Sequence, residues 1–119
     1  MRKLELIPAV LLLLATGVEA QINPFGRYSS DRITEEDKRL AEQASAKIYQ
    51  AAAPQIGASQ TWNNPGTGNE GTVTLVGFRE HQGLPCRTLR YTLEVKGHDN
   101  PVELVFDRCR TDDGQWKVL

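Results

Sequence analysis

The chain has 119 residues, of which 14 are basic and 15 are acidic, so its formal net charge is −1. Because the basic and acidic residues are interleaved, the charge pattern argues against nucleic acid and against an anionic lipid surface as the main partner. The length allows one domain with a modest core and argues against two.

Residues 1–20 have the three parts of a secretory signal peptide. Arg2 and Lys3 form a basic start, residues 6–14 form an apolar run, and the tail fits cleavage after Ala20. A membrane anchor is the alternative, but the apolar run is far shorter than the roughly 20 residues that a spanning helix needs. We therefore expect an exported mature chain without a transmembrane helix.

Residues 21–33 contain proline, glycine and serine with little apolar periodicity, which is typical of a flexible lead-in. Thr34 then precedes three acidic residues, so its hydroxyl can cap backbone N–H groups at the start of a helix. Apolar residues follow at helical spacing and form a stripe that can lie on a sheet: Leu40, Ala44, Ile48 and Ala51. Pro54 and Gly57 are expected to end the helix.

Residues 59–71 combine Trp62 with asparagine, proline and glycine, which predicts a folded loop anchored by the indole. Residues 66–71 match the pattern G-x-G-x-x-G of dinucleotide-binding proteins. That motif requires a helix after the glycines, whereas the β-branched and aromatic residues 72–78 predict a strand. We therefore interpret the glycines as a turn.

Two alternating segments, residues 89–95 and 102–106, predict a β-hairpin with one apolar face. Cys86 and Cys109 lie at equal distances from the centre of the turn, which predicts a disulfide across the hairpin and an oxidising compartment. With that pairing, apolar residues lie opposite apolar residues without a slip in register. A four-residue loop, 96–99, keeps a proline away from a hydrogen-bonded position of the ladder.

A turn at residues 112–114 is followed by Trp116 and Val118, which alternate with polar residues and predict a short last strand. The expected fold class is therefore α+β. One N-terminal helix packs on a four-stranded antiparallel sheet with one disulfide, over residues 34–119.

The residue types point to no catalytic, metal or cofactor site. His81 and His98 lie in separate predicted turns without further ligands at the spacing that zinc requires. Cysteines joined in a disulfide offer no thiol nucleophile. We therefore expect a protein that is not an enzyme and uses no cofactor.

Aromatic and arginine side chains are the candidate binding residues: Trp62, Arg87, Arg90, Arg108 and Trp116. Clustered arginines can bind carboxylates or phosphates. The alternative is that Arg87 and Arg108 cap the edge of the core and pair with acidic residues of the helix, while the tryptophans belong to the core. The acids available for this pairing are Glu35, Glu36 and Glu42.

Several short motifs, taken together, resemble a known family. In chain order they are Trp62-Asn63-Asn64-Pro65, Cys86-Arg87, Cys109-Arg110 and Asp113-Gly114-Gln115-Trp116. The combination resembles the seventeen-kilodalton outer-membrane surface-antigen family of proteobacteria. The resemblance implies a small envelope protein with a helix and an antiparallel sheet, and it supplies no catalytic residues.

Members of that family often carry a lipid-attached cysteine and a glycine-rich membrane-associated segment, and this sequence departs from the pattern in both respects. We therefore expect an exported periplasmic protein, with outer-membrane association as the alternative. Its expected partner is an envelope component, whether protein, peptidoglycan or lipid. A second hypothesis is inhibition of a cell-wall-degrading or host enzyme, and a third, less favoured, is hydrolysis.

Overall fold

The computed structural model describes residues 32–119, so the expected signal peptide and nearly all of the lead-in lie outside the described residues. Helix α1 spans Glu35–Tyr49, and five strands follow: β1 Ser59–Asn64, β2 Asn69–His81, β3 Leu84–Glu94, β4 Val102–Arg110 and β5 Trp116–Val118. Each strand pairs antiparallel with the next in chain order. No helix in residues 32–119 has the length and apolar character needed to cross a membrane.

Helix α1 begins where the sequence predicts, at a capping box. The Asp37 backbone N–H donates to Thr34 Oγ1, and the Thr34 backbone N–H donates to Asp37 Oδ2, which satisfies two N–H groups at the helix start. The helix ends at Tyr49, earlier than the predicted stripe, with Gln50 as its C-cap. Three of its six buried residues are small: Ala41, Ala44 and Ser45.

The sheet has five strands and not the four expected from the sequence. Residues 59–71 form β1, a turn at 65–68 and the start of β2, where a loop was expected. Asparagine is uncommon in strands, so the composition of β1 favours a loop. Residues 59–64 are nevertheless a strand, because their backbone pairs with β2. Trp62 nevertheless anchors the segment, because its indole lies over Gly71, where a Cβ atom would come within 2.6 Å of Nε1.

The hairpin of β3 and β4 has the predicted register and the predicted disulfide. Cys86 lies opposite Cys109, to which it is bonded, and Leu89 lies opposite Phe106. Both cysteines are buried, although they lie on the face of the sheet away from α1. The connection between the strands covers residues 95–101 and is therefore longer than the predicted four-residue loop.

The core lies between α1 and the sheet face that the helix covers, which we call the inner face; the opposite face is the outer face. Val73, Leu75, Leu89, Tyr91 and Leu93 are almost completely buried there. The helix packs on β1 and β2 and makes few contacts with β3. The inner face of β4 and β5 therefore lies beside the helix and forms one wall of a groove.

Candidate binding groove

A groove of about 790 Å³ lies between the exposed side of α1 and the β4–β5 edge of the sheet. The helix contributes side chains from its first to its last turn, while β4, the following turn and β5 contribute the opposite wall. Its lining is mixed in character and includes Lys38, Glu42, Gln43, Tyr49, Arg108 and Trp116.

Arg108 is the most unusual residue of this groove, because its side chain is charged and only 4% exposed. It projects from the inner face of β4. Its Nη2 donates to the Glu42 carboxylate, and its guanidinium carbon lies 4.6 Å from the centroid of the Tyr49 ring. The Tyr91 hydroxyl interacts with the guanidinium from the core side, but the buried Nε makes no hydrogen bond of good geometry within residues 32–119. One donor of a buried charge is therefore left unsatisfied, which costs free energy.

Glu42 connects the arginine to the helix. One of its carboxylate oxygens accepts from Arg108, and the other accepts from the Tyr49 hydroxyl at 2.6 Å. Burial, together with this hydrogen bond to Glu42, raises the pKa of the Tyr49 phenol above its ordinary value. Tyr49 therefore stays protonated at neutral pH and keeps donating to Glu42, which fixes the orientation of both side chains.

Trp116 and Arg87 extend the same cluster. The half-buried Trp116 ring lies 5.9 Å from the Tyr49 ring, and the Arg87 guanidinium carbon lies 4.9 Å from the indole centroid. Arg87 Nη1 also donates to the backbone carbonyls of Tyr49 and Ala51, at 2.8 and 2.5 Å. A cation at this position complements the negative end of the helix dipole. We call Glu42, Tyr49, Arg87, Arg108 and Trp116 the arginine–aromatic cluster.

Of the five binding residues proposed from the sequence, the structure brings Arg87, Arg108 and Trp116 together. Arg90 is exposed on the outer face, and Trp62 is buried between the start of α1 and the sheet. The expected pairing with a helix acid holds for Arg108, whereas Arg87 binds helix carbonyls. The binding role of all five remains a prediction, and the groove site developed below leaves out Arg90 and Trp62, which do not line the groove.

Two helix residues complete the cluster: sequence reasoning named Glu42 as one of three acids that could pair with the arginines, and it missed Tyr49. The two residues are seven positions apart on one helix, a spacing of about two turns that places them on one side. Tyr49 could have been found as the last large residue of the helical pattern. The partnership of Glu42 with Arg108 spans 66 positions, so no local pattern indicates it.

A second buried charge, Asp37, lies near the start of α1 and is only 1% exposed. Its Oδ1 accepts from Asn64 Nδ2 and Thr67 Oγ1, both at 2.8 Å, and its Oδ2 accepts from the Thr34 N–H and Asn69 Nδ2. Burial by itself would raise the pKa of Asp37, but these hydrogen bonds together hold it below its usual value. We call these five residues the Asp37 cluster; it ties the helix to the β1–β2 turn.

The histidines and acidic residues assemble no recognisable metal site. Within residues 32–119, no group of three or more His, Cys, Asp or Glu side chains is placed to hold a metal ion. His81 and His98 are both exposed, and they lie on different hairpins.

Comparison with known proteins gives one family. The family model described as "17 kDa outer membrane surface antigen" matches residues 50–117, a range that begins just after α1, contains β1 to β4 and ends within β5. The "17 kDa surface antigen" of Rickettsia bellii is 37% identical over 86 residues, and those of Rickettsia conorii and Rickettsia prowazekii are 35% and 34% identical.

Each of these alignments covers 71% of this chain and 52% of the relative. The chain therefore spans about half the length of the curated relatives that it matches. No solved structure matches the chain.

Proposed function

Since the chain belongs to the family of 17 kDa outer membrane surface antigens, we propose that it is a non-enzymatic envelope protein that binds another envelope component. The proposed binding site is the groove between α1 and β5. The observation that carries this proposal is Arg108, a buried charge in an open groove with one unsatisfied donor. A buried donor without a hydrogen bond lowers stability, so folding alone gives no reason to retain it. In native proteins, unsatisfied buried groups of this kind are concentrated at functional sites.

The arginine–aromatic cluster is also held in place before any ligand arrives. Glu42 binds Arg108 and Tyr49 together, and Arg87 is fixed by two backbone carbonyls. Side chains locked by their neighbours lose little rotamer entropy on binding, so a fixed cluster favours affinity. Arginine and tryptophan are the residue types that most often carry binding energy at interfaces.

The groove wall indicates a polar ligand. Charged side chains of α1 alternate with the amides of Gln43, Gln50 and Gln115, and few large apolar side chains line the space. Amides both donate and accept hydrogen bonds, which suits hydroxyl and amide groups of a ligand. An apolar helix or an acyl chain would leave these groups unpaired.

We also propose that the folded domain works in the periplasm. The Cys86–Cys109 disulfide requires an oxidising compartment, and the relatives are named as surface antigens. The signal peptide expected in residues 1–20 would supply the export step.

The test is site-specific photo-crosslinking of the full chain in intact cells. A photoreactive benzoylphenylalanine at Gln43, on the exposed helix wall of the groove, should capture the groove ligand. The matched control carries the same group at Arg90, which is exposed on the outer face. We expect an adduct from position 43 that is absent from position 90 and that disappears with Trp116→Ala. Identical adducts from both positions, or none from position 43, would overturn the proposal.

A second candidate function, inhibition of a cell-wall-degrading or host enzyme, rests on the hairpin of β2 and β3. Its tip, residues 78–83, is exposed throughout, and Phe78 is 53% exposed. Gln82 and Gly83 have φ values of 50° and 83°, as a tight two-residue turn requires. A rigid projecting tip with an aromatic residue can enter the cleft of an enzyme.

Lysozyme and amidase assays with added protein test this second function. Inhibition should be lost with Phe78→Ser and kept with Val105→Ser, since Val105 is a similarly exposed apolar residue, at 58%, on the outer face. Absence of inhibition by the unaltered chain would remove this candidate.

A further inference from the structure

Three arginines surround Trp116, and the described residues supply only one carboxylate to them. Arg87 lies over the indole ring, Arg110 is the cross-strand partner of Trp116, and Arg108 is the next inner-face residue along β4. Arg108 pairs with Glu42. In residues 32–119, no carboxylate lies within ion-pair distance of Arg87 or Arg110.

The acidic residues of the neighbouring turn do not fill this gap. Asp113 accepts hydrogen bonds from Thr111 Oγ1 and from the Gln115 backbone N–H. Those contacts, and the charge of Lys117, lower the pKa of Asp113. Its charge is therefore directed towards its own turn and not towards Arg110.

Arg87 and Arg110 keep free donors. Arg87 uses the two hydrogens of Nη1 for the carbonyls of Tyr49 and Ala51, which leaves Nε and Nη2. Arg110 is exposed, and its side chain makes no hydrogen bond within the described part of the chain. Burial and the nearby charge of Arg110 lower the pKa of Arg87, as expected for two cations held close together.

Neither Arg87 nor Arg110 lines the groove itself, but both flank Trp116, which does. We propose that these two arginines form an anion subsite for the phosphate group of a phosphorylated saccharide whose sugar lies in the groove beside Trp116. Phosphate fits better than carboxylate, because a phosphate monoester carries up to two negative charges to offset two guanidinium cations, whereas a carboxylate carries one. The groove amides would bind the sugar hydroxyls. This inference rests on the proposed function of the groove and adds the chemical class of its ligand.

Calorimetric titration of the full chain tests the subsite with N-acetylglucosamine 1-phosphate, N-acetylglucosamine and inorganic phosphate. We expect the sugar phosphate to bind at least about tenfold more tightly than the neutral sugar, since charge-assisted hydrogen bonds are the strong ones. Arg110→Gln, at an exposed position, should remove most of that difference. Arg90→Gln is the matched control, because it removes the same charge from the outer face, and it should leave the difference unchanged.

The source of the sugar phosphate is distinguished by a second arm, with phosphatidylcholine vesicles that contain or lack lipid A. If the chain binds the lipid A vesicles and Arg110→Gln abolishes that binding, the subsite is supported and a lipid headgroup is the source of the sugar phosphate. Binding to the soluble sugar phosphate alone supports it with a soluble saccharide as its source.

Two results would overturn the subsite. Either the phosphate adds nothing to the binding of sugar or vesicle, or Arg110→Gln and Arg90→Gln weaken binding equally, which would indicate a general effect of charge. If the photo-crosslink from position 43 persists in that case, the groove remains a binding site and only the anion subsite is wrong. If that crosslink is missing, the proposed function itself fails.

Discussion

Helix α1 is joined to the sheet by a buried charge in its first turn and by another beside its later turns, and the two environments differ. At Asp37, both carboxylate oxygens accept hydrogen bonds, and the side chain is sealed from solvent. At Arg108, one donor is unpaired, and aromatic and polar side chains open into the groove. A closed, satisfied charge serves folding, whereas the buried Arg108 holds groove-lining side chains in place for a ligand.

This comparison changes the meaning of the motifs that identify the family. Asn64, in the motif that starts at Trp62, donates to Asp37, so this part of the resemblance reports how the helix is attached. Arg87 and Trp116 belong to the arginine–aromatic cluster. The search for function should therefore concentrate on the second set.

The largest effect that separates the two regions is expected for Asp37→Asn. An amide cannot accept from all four donors, so buried polar groups of Asn64, Thr67 and Asn69 lose partners, and the free energy of unfolding should fall by about 3 to 5 kcal/mol. Urea denaturation measures it, with the exposed Asp99→Asn as control. A loss below about 1 kcal/mol would mean that the Asp37 cluster does not hold the helix.

Removal of the disulfide should come next in size. The bond closes a separation of 23 residues, for which the chain-entropy estimate is about 3 kcal/mol. Urea denaturation of the double variant Cys86→Ser/Cys109→Ser should show that loss of stability. Under conditions where the variant is folded, it should still give the photo-crosslinked adduct from position 43. An unchanged urea midpoint would contradict this structural role of the disulfide.

Arg108→Met should cost less stability than Asp37→Asn, about 2 kcal/mol or less. Methionine can occupy apolar space, and Glu42, whose side chain is 33% exposed, can turn to solvent when its partner is gone. Denaturation of Arg108→Met beside Arg90→Met measures the difference. A loss of stability as large as that of Asp37→Asn would mean that Arg108, like Asp37, serves folding, and the two regions would then not differ in role.

The smallest effect concerns pH. The pKa of Asp37 is lowered in the folded protein, so its contribution is present above the unfolded pKa of about 3.9 and is lost as the pH falls through the folded value. Unfolding midpoints in urea between pH 7 and pH 2 should therefore decline more steeply for the natural chain than for Asp37→Asn. Parallel curves would show that Asp37 does not titrate as described.

Local patterns predicted the helix start and the β3–β4 register, because a capping box and period-two alternation are written in neighbouring residues. They failed for β1, where asparagine favours turns by itself. In the fold, the Asn64 side chain donates to Asp37, 27 positions away, and the backbone of β1 pairs with β2. The arginine–aromatic cluster was predicted only in part: the pairing of Arg108 with a helix acid was expected, but the contacts of Tyr49 depend on packing and are not written in the spacing.

Crosslinking from position 43 in cells, compared between chains that carry Arg108→Met and Arg90→Met at equal protein levels, tests the central claim most directly. If the groove binds an envelope component through side chains that the buried arginine holds in place, the adduct should disappear with Arg108→Met and persist with Arg90→Met. An adduct of equal yield in both folded variants would contradict the account, because the arginine of the groove would then have no part in binding.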